Sequence, residues 1–369
     1  MIKHGENLRP HSWYIVVIDI MVLFLLSLIY LWPLVVGSQE EMVWGEDYYL
    51  QYFSPVFESF VRTYREEGVL SYRILFGPAP YVANMEMPVF SPLTLFLLLM
   101  PSAVLSVRGM MIFTVLAAGL SMYVLMVVWK SNRPAALLAS VGYMLSGAVA
   151  ARIRFGNLSL LWGYSWAPLA LAFLVLALKK SRLSLAALAG LVLALQIQSG
   201  GFILSVYTAM LLAMYTGYWS LVNVLSLRSP SCADATKVIW MALRALVYAA
   251  IFAFALGAAK ILPVWEASQF TDRQVGGLSF WDAFGGGYNN IWWIWRSLVS
   301  KHGMLFSAPW AGDWFSTYSP DYSHYIGAFL MGLALVSAAI VTALVLACFW
   351  RLLDDEAALV MIFLLLITV

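Results

Sequence analysis

The run RGMMIFTVLAAGLSMYVLMVVW, Arg108–Trp129, decides the fold. After Arg108 it carries no charge, and Lys130 and Arg133 follow it directly. It is longer than the ~20 residues that take an α-helix across a bilayer. Backbone groups in hydrocarbon must be bonded within the protein, which leaves helices or a closed barrel. A barrel strand alternates lipid-facing and inward residues, and this continuous apolar run does not.

Similar runs lie on both sides of it. The sequence predicts spans at Trp13–Val36, Arg108–Trp129, Ala135–Ala151, Gly163–Leu178, Leu183–Ser199, Phe202–Leu227, Val238–Leu262, Tyr325–Trp350 and from Ala357 onward, nine in all. The chain closes inside the last run, at Ile362–Val369, as the front part of a longer protein would. The fold class expected is therefore all-α, a single polytopic transmembrane domain over 1–369.

Composition agrees. Of 369 residues, 63% are hydrophobic and 11% charged, against about 25% charged in a soluble domain. That excludes a soluble enzyme. A net charge of +2 gives no reason to expect nucleic acid as a partner. Cys232 and Cys348 are far apart and do not read as a disulfide or metal pair.

Sidedness follows from the short loops. Lys3 and Arg9 precede the first span. Alternating crossings put them on one side with Lys130, Arg133, Lys179, Lys180, Arg182, Arg228, Lys237 and Arg351. The positive-inside rule makes that side, and the N-terminus, cytoplasmic in a plasma-membrane protein. Two larger segments, 37–90 and 263–324, then face outward. Within the first, Tyr48–Glu67 reads as an amphipathic helix lying on the membrane. Residues 90–104 are apolar but short and broken by Pro92 and Pro101, as a re-entrant or interfacial piece is.

Chemistry is sought at the outer side. Glu46 and Asp47 open the first loop, with Gln51 four residues after Asp47 on the same helix face. Adjacent carboxylates can hold a divalent cation, Mg or Mn, or act as base and positioner. They also suit a helix N-terminus with no further role. Further along, the Gly- and Pro-rich stretch Phe76–Pro92 turns the chain back to the membrane and carries Asn84 and Glu86 near the headgroups.

Arg152 and Arg154 stand on the outer side against the charge rule. Their guanidinium forks suit a lipid phosphate, and headgroup snorkelling is the competing account. Asn157 follows them. Lys260 is embedded in LGAAKILP near the outer end of its span, an ionisable group that marks either function or snorkelling, and Glu266 comes just after. Gln196, Gln198 and Ser199 either line the same cavity as Lys260 or join helices by hydrogen bonds, the second being the favoured reading. Asp19 is the acidic residue placed well inside a span. The outer loop is rich in Trp, at positions 281, 292, 293, 295, 310 and 314, suited to sugar rings and equally to interfacial anchoring. His302 and His324 lack ligand spacing. No Walker A loop, dinucleotide-binding glycine loop or serine nucleophile elbow occurs.

The order of features resembles the YfhO-like family within the GT-C superfamily of polyprenyl-phosphate-dependent glycosyltransferases. The residues that carry it are Asp47, Gln51-Tyr52, Phe76-Gly77 with Pro80, Ala83-Asn84 and Phe90-Ser91-Pro92. Further on come Trp166 with Pro168-Leu169, Leu195-Gln196 with Gly200-Gly201, Ile261-Leu262-Pro263 with Glu266, and Tyr325-Ile326-Gly327. Two positions depart from that pattern: Lys260, often Gln there, and Asn157, often His. The chain is also shorter than is usual in that family.

The resemblance implies a sugar donor on a polyprenyl phosphate and transfer, with inversion, to an envelope polymer, lipid or protein. It implies Asp47 as the base, with Glu46, Gln51, Asn84, Glu86, Arg152, Arg154, Asn157, Lys260 and Glu266 around the substrates. Two readings compete with this enzyme: a transporter or flippase of a lipid-linked sugar, and a non-catalytic envelope-assembly protein. A transporter would place ionisable groups near mid-membrane, whereas most here cluster outward.

Overall fold

The computed structural model describes residues 13–36, 66, 75–76, 79–80, 83, 86–88, 90–155, 158–226 and 232–268. The amphipathic helix expected at Tyr48–Glu67, apart from Glu66, lies outside them, as do both spans expected beyond Tyr325 and the outer loop beyond Ser268. The chain divides into two compact units, Met1–Gly287 and Tyr288–Val369, and every described residue belongs to the first.

The described chain is helical: α1 (Trp13–Tyr30), α2 (Trp32–Val36), α3 (Thr94–Leu99), α4 (Ala103–Val128), α5 (Arg133–Met144), α6 (Gly147–Phe155), α7 (Leu158–Tyr164), α8 (Ala167–Lys180), α9 (Leu183–Gln198), α10 (Phe202–Leu225) and α11 (Cys232–Ser268). A small antiparallel pair, β1 (Leu75–Phe76) with β2 (Ala79–Pro80), lies in the turn-rich stretch, with Leu75 opposite Pro80 and Phe76 opposite Ala79. Among the described residues, five helical stretches are long and apolar enough to cross a membrane: Trp13–Tyr30, Val104–Val128, Leu158–Lys180, Phe202–Leu225 and Ala233–Ala267. Leu183–Gln198 is a shorter apolar helix. The protein is a multi-pass helical membrane protein.

Helix boundaries follow local chemistry. Ser102 caps α4 by accepting from the Leu105 amide at 3.3 Å, so this helix starts before Arg108, where the sequence alone put it. The Asn132 side chain accepts from the Ala135 amide at 3.0 Å, and Pro134 sits in the first turn of α5, where a missing N–H costs nothing. The span expected over Ala135–Ala151 is instead two helices. Ser146 interrupts it, its hydroxyl accepting from the Val149 amide at 3.4 Å and restarting the chain as α6. A similar break separates α7 from α8, where Ser165 donates to the Trp162 carbonyl at 2.9 Å and Pro168 lies in the first turn of α8. Pro263, expected to end its span, stays inside α11, which continues to Ser268. Near a helix end proline forfeits one backbone bond without stopping the helix.

Two ends can be told apart. At one, the α4–α5 turn, the α8–α9 turn and the first part of α11 come together. There Lys179 donates to the Val128 carbonyl at 2.9 Å, and the Ser181 hydroxyl to the Met241 sulfur at 2.9 Å. Lys130, Arg133, Lys179, Lys180, Arg182 and Arg244 all belong to this basic end.

Near it, α1 is held to the bundle by a buried charge. Asp19, Leu23 and Ser27, four residues apart, form the buried stripe of α1. The fully buried Asp19 carboxylate accepts from the Tyr123 hydroxyl at 2.6 Å and from Arg133 through Nη2 at 2.7 Å and Nε at 2.9 Å. A carboxylate in an apolar bundle is tolerated when paired in this way. Asp19 thus serves as a lock between α1, α4 and α5.

The described residues form two core clusters. One, including Leu23, Met87, Met110, Met111 and Trp162, joins α1, α4, α5 and α7. The other, including Ala170, Leu174, Ala186, Leu212, Ala242, Ala245 and Ala249, joins α8 to α11. The second is built from small residues. Ala242, Ala245, Ala249 and Ala253 recur every three or four residues along α11 and are all buried. Such stripes let membrane helices approach closely, where packing rather than water exclusion drives association.

Candidate functional site

At the end opposite the basic turns, the last part of the first loop is bonded onto the bundle. Four elements meet there: the segment 86–91, the start of α8, the C-terminal end of α9 and the far part of α11.

Among the described residues Lys260 is the most buried cation, 1% exposed. Its ammonium donates to the Met87 carbonyl at 2.7 Å, a contact across 173 residues of chain. Of the two accounts offered by the sequence, snorkelling is therefore not what this side chain does: it stays inside and ends on a backbone oxygen.

Beside it, α9 ends in a turn at Ser199-Gly200. Gly200 has φ +89°, a left-handed conformation that glycine adopts without the clash a side chain would bring. The Glu86 carbonyl packs against its Cα, in the space any Cβ would need. Both the conformation and the contact call for glycine.

A chain of hydroxyls completes the junction. The Ser199 hydroxyl donates to the Leu195 carbonyl at 2.7 Å, and accepts from the Trp166 indole at 3.2 Å. With its proton so placed, the 2.8 Å contact between Ser91 and Ser199 has Ser91 as donor. Ser91 also accepts from the Leu93 amide at 3.3 Å, and its carbonyl accepts from the Thr94 hydroxyl at 2.6 Å, which sets the first turn of α3. At six residues α3 is far too short to cross, as expected of 90–104.

The three polar groups at the end of α9 join helices, as the sequence indicated. Gln196, fully buried, donates to the Gly163 carbonyl and to the Thr208 hydroxyl, each at 2.9 Å. Gln198 donates to the Leu256 carbonyl at 2.6 Å.

Of the residues singled out from the sequence, Glu86 and Lys260 are brought to this junction. Arg152 is half-buried on α6. Arg154 lies in the same helix, its side chain outside the described residues. Glu266 is exposed on α11, six residues beyond Lys260 and therefore on a different face. Glu46, Asp47, Gln51, Asn84 and Asn157 lie outside the described residues. So does the Glu46-Asp47 pair considered for a divalent cation; among the described residues no group of three His, Cys, Asp or Glu comes together. Arg108, 5% exposed near the start of α4, was read from the sequence only as a span boundary. It lies more than one turn inside the helix that Ser102 caps.

No protein-family model, curated protein or solved structure matches this chain.

The Lys260–Met87 bond has a measurable consequence. In Lys260→Met the side chain keeps its length and loses the donor. Losing one charge-assisted bond of about 1.5–3 kcal/mol should speed amide exchange in segment 86–91 by about tenfold or more. Exchange in the middle of α9 should not change. Unaltered exchange at 86–91 would show that Lys260 does not anchor the loop.

Proposed function

We propose that this protein is a membrane glycosyltransferase of the GT-C type. It moves a sugar from a polyprenyl-phosphate donor to an envelope polymer, lipid or protein on the outer face of the plasma membrane. The transfer inverts the sugar carbon, and Asp47 takes the proton from the acceptor hydroxyl.

One observation carries this reading: the return of the first loop is bonded into the bundle end opposite the basic turns, through Lys260, Gly200 and Ser199. By the positive-inside rule that end is extracytoplasmic, where a polyprenyl-linked donor and an envelope acceptor meet. A loop tethered there at its far end can hold a carboxylate against a lipid-borne substrate, which is the positioning that acid–base catalysis needs. The order of motifs shared with the YfhO-like family supports the same assignment. Arg152 and Arg154, on the helix that precedes position 157, suit the leaving phosphate by charge and fork geometry. Glu46 beside Asp47 is the place for a divalent cation, should the reaction use one.

The test is a lipid and envelope analysis of cells lacking the protein. The expected result is accumulation of one sugar-loaded polyprenyl phosphate together with loss of one envelope sugar, both reversed by the wild-type chain. Unchanged lipid-linked sugars with an intact envelope composition would refute the assignment. Accumulation confined to the inner leaflet would point to a flippase instead.

A further inference from the structure

The basic end carries a feature that the transferase reading does not use. A cavity of about 110 Å³ opens between the α8–α9 turn and α11, lined by Ala177, Ser181, Arg182, Leu183, Met241 and Arg244, with Ala245 behind. We propose that it binds the phosphate of an anionic phospholipid.

The cations at this end are not equivalent. Arg133 is committed to Asp19, Lys179 to the Val128 carbonyl, and Lys237 to Asp234 at 3.2 Å. Arg182 and Arg244 come from different elements, line the same cavity, and have no carboxylate partner among the described residues. A phosphate seated in the cavity would accept from both guanidinium forks.

The backbone adds donors. Helix α9 begins at Leu183, in the cavity wall, with no side chain capping its first amides. Those amides carry the positive end of the helix dipole. The preceding Ser181 has φ +52°, and its hydroxyl is held on the Met241 sulfur, which fixes the turn that presents Arg182.

The apolar part of the wall decides the source of the phosphate. Ala177, Leu183 and Met241 line the cavity beside the arginines. Leu188 on α9 and Leu243 and Val247 on α11 are exposed apolar residues on the same two helices. A lipid gives its headgroup to the arginines and its acyl chains to these residues, which a soluble oxyanion cannot do. Basic pockets between membrane helices at headgroup level bind anionic lipids by this division of labour.

The experiment is native mass spectrometry of the full chain in detergent, titrated separately with phosphatidylglycerol, phosphatidylcholine and inorganic phosphate. The expected result is one phosphatidylglycerol retained per chain in preference to phosphatidylcholine. Arg182→Gln/Arg244→Gln should weaken that retention about tenfold or more, while Lys130→Gln/Lys180→Gln, which removes the same charge at the same end, should change it less than about twofold. Both arginines are exposed, so the variants should unfold at the wild-type temperature in lipid-free detergent. Each single Arg→Gln change should weaken binding in the same direction, which keeps the test open if the double variant is unstable. Equal loss in the lysine pair would reduce the site to bulk charge and overturn the proposal. So would full displacement of phosphatidylglycerol by millimolar inorganic phosphate, which would make the ligand a soluble oxyanion.

Discussion

Gly190→Leu should prevent this protein from reaching its folded state in membranes. Among the described helices, α9 and α11 share the most extensive interface. Gly190 faces Ala249 there. A Cβ built on Gly190 collides with the Ala249 carbonyl oxygen and lies 2.8 Å from the Phe252 Cβ. The first obstacle is backbone, so no rotamer change relieves it, and the two helices must separate. Their contact rests on the alanine stripe at 242, 245, 249 and 253, and separation loosens all of it.

Overpacking a close contact costs about 1–3 kcal/mol, more where backbone must move. Leucine at this position should lie at or above the top of that range. Gly217→Leu on α10 is the matched control, because nothing lies within 4 Å of a Cβ there. The readout is thermal unfolding in detergent, with the monodisperse fraction after extraction. Gly190→Leu should be aggregated or strongly destabilised and Gly217→Leu close to wild type. Equal behaviour of the two would mean that α9 and α11 do not touch at Gly190.

Asp47→Asn should abolish sugar transfer with the protein still made and folded. The change keeps shape and removes the basicity on which the proposed deprotonation depends. General-base catalysis supplies about 10²–10⁴ in rate, so the loss should be at least a hundredfold. Glu46→Gln separates the two uses of the acidic pair. If the carboxylates share a cation, both variants lose activity, and added Mg or Mn partly restores Glu46→Gln. If Asp47 acts alone, Glu46→Gln retains most activity. Transfer measured in membranes with a polyprenyl-linked donor, normalised to protein level, decides it. Wild-type transfer by Asp47→Asn would remove the base from the mechanism without touching the membrane architecture.

The parts of this fold that could be read from the sequence are those set by local composition. Runs such as Phe202–Leu225 become helices because hydrocarbon forbids any other single-segment solution. The breaks were harder. Ser146 and Ser165 interrupt apolar runs through hydroxyl–backbone bonds, and serine occurs elsewhere inside uninterrupted helices, as at Ser140, which donates to the Ala136 carbonyl at 2.7 Å. Residue type alone does not tell these cases apart.

The site was legible as a set of unusual residues but not as contacts. A cation amid LGAAKILP announces Lys260, yet its partner is a carbonyl, and every residue has one. Asp19 stood out inside its span, while Arg133 looked like one of many loop cations. Their pairing depends on how α1 packs beside α4 and α5, which no local pattern encodes.

The length of α11 has a mechanical consequence. Its 37 residues make a rod of about 55 Å, well beyond the ~30 Å of a hydrocarbon layer. Arg244 and Lys260 ride on it about 24 Å apart along the axis. The uncharged stretch between them, residues 245–259, is shorter than that layer. Both ends of the rod therefore reach past the hydrocarbon, and a single helix joins the basic turns to the docking of the first loop.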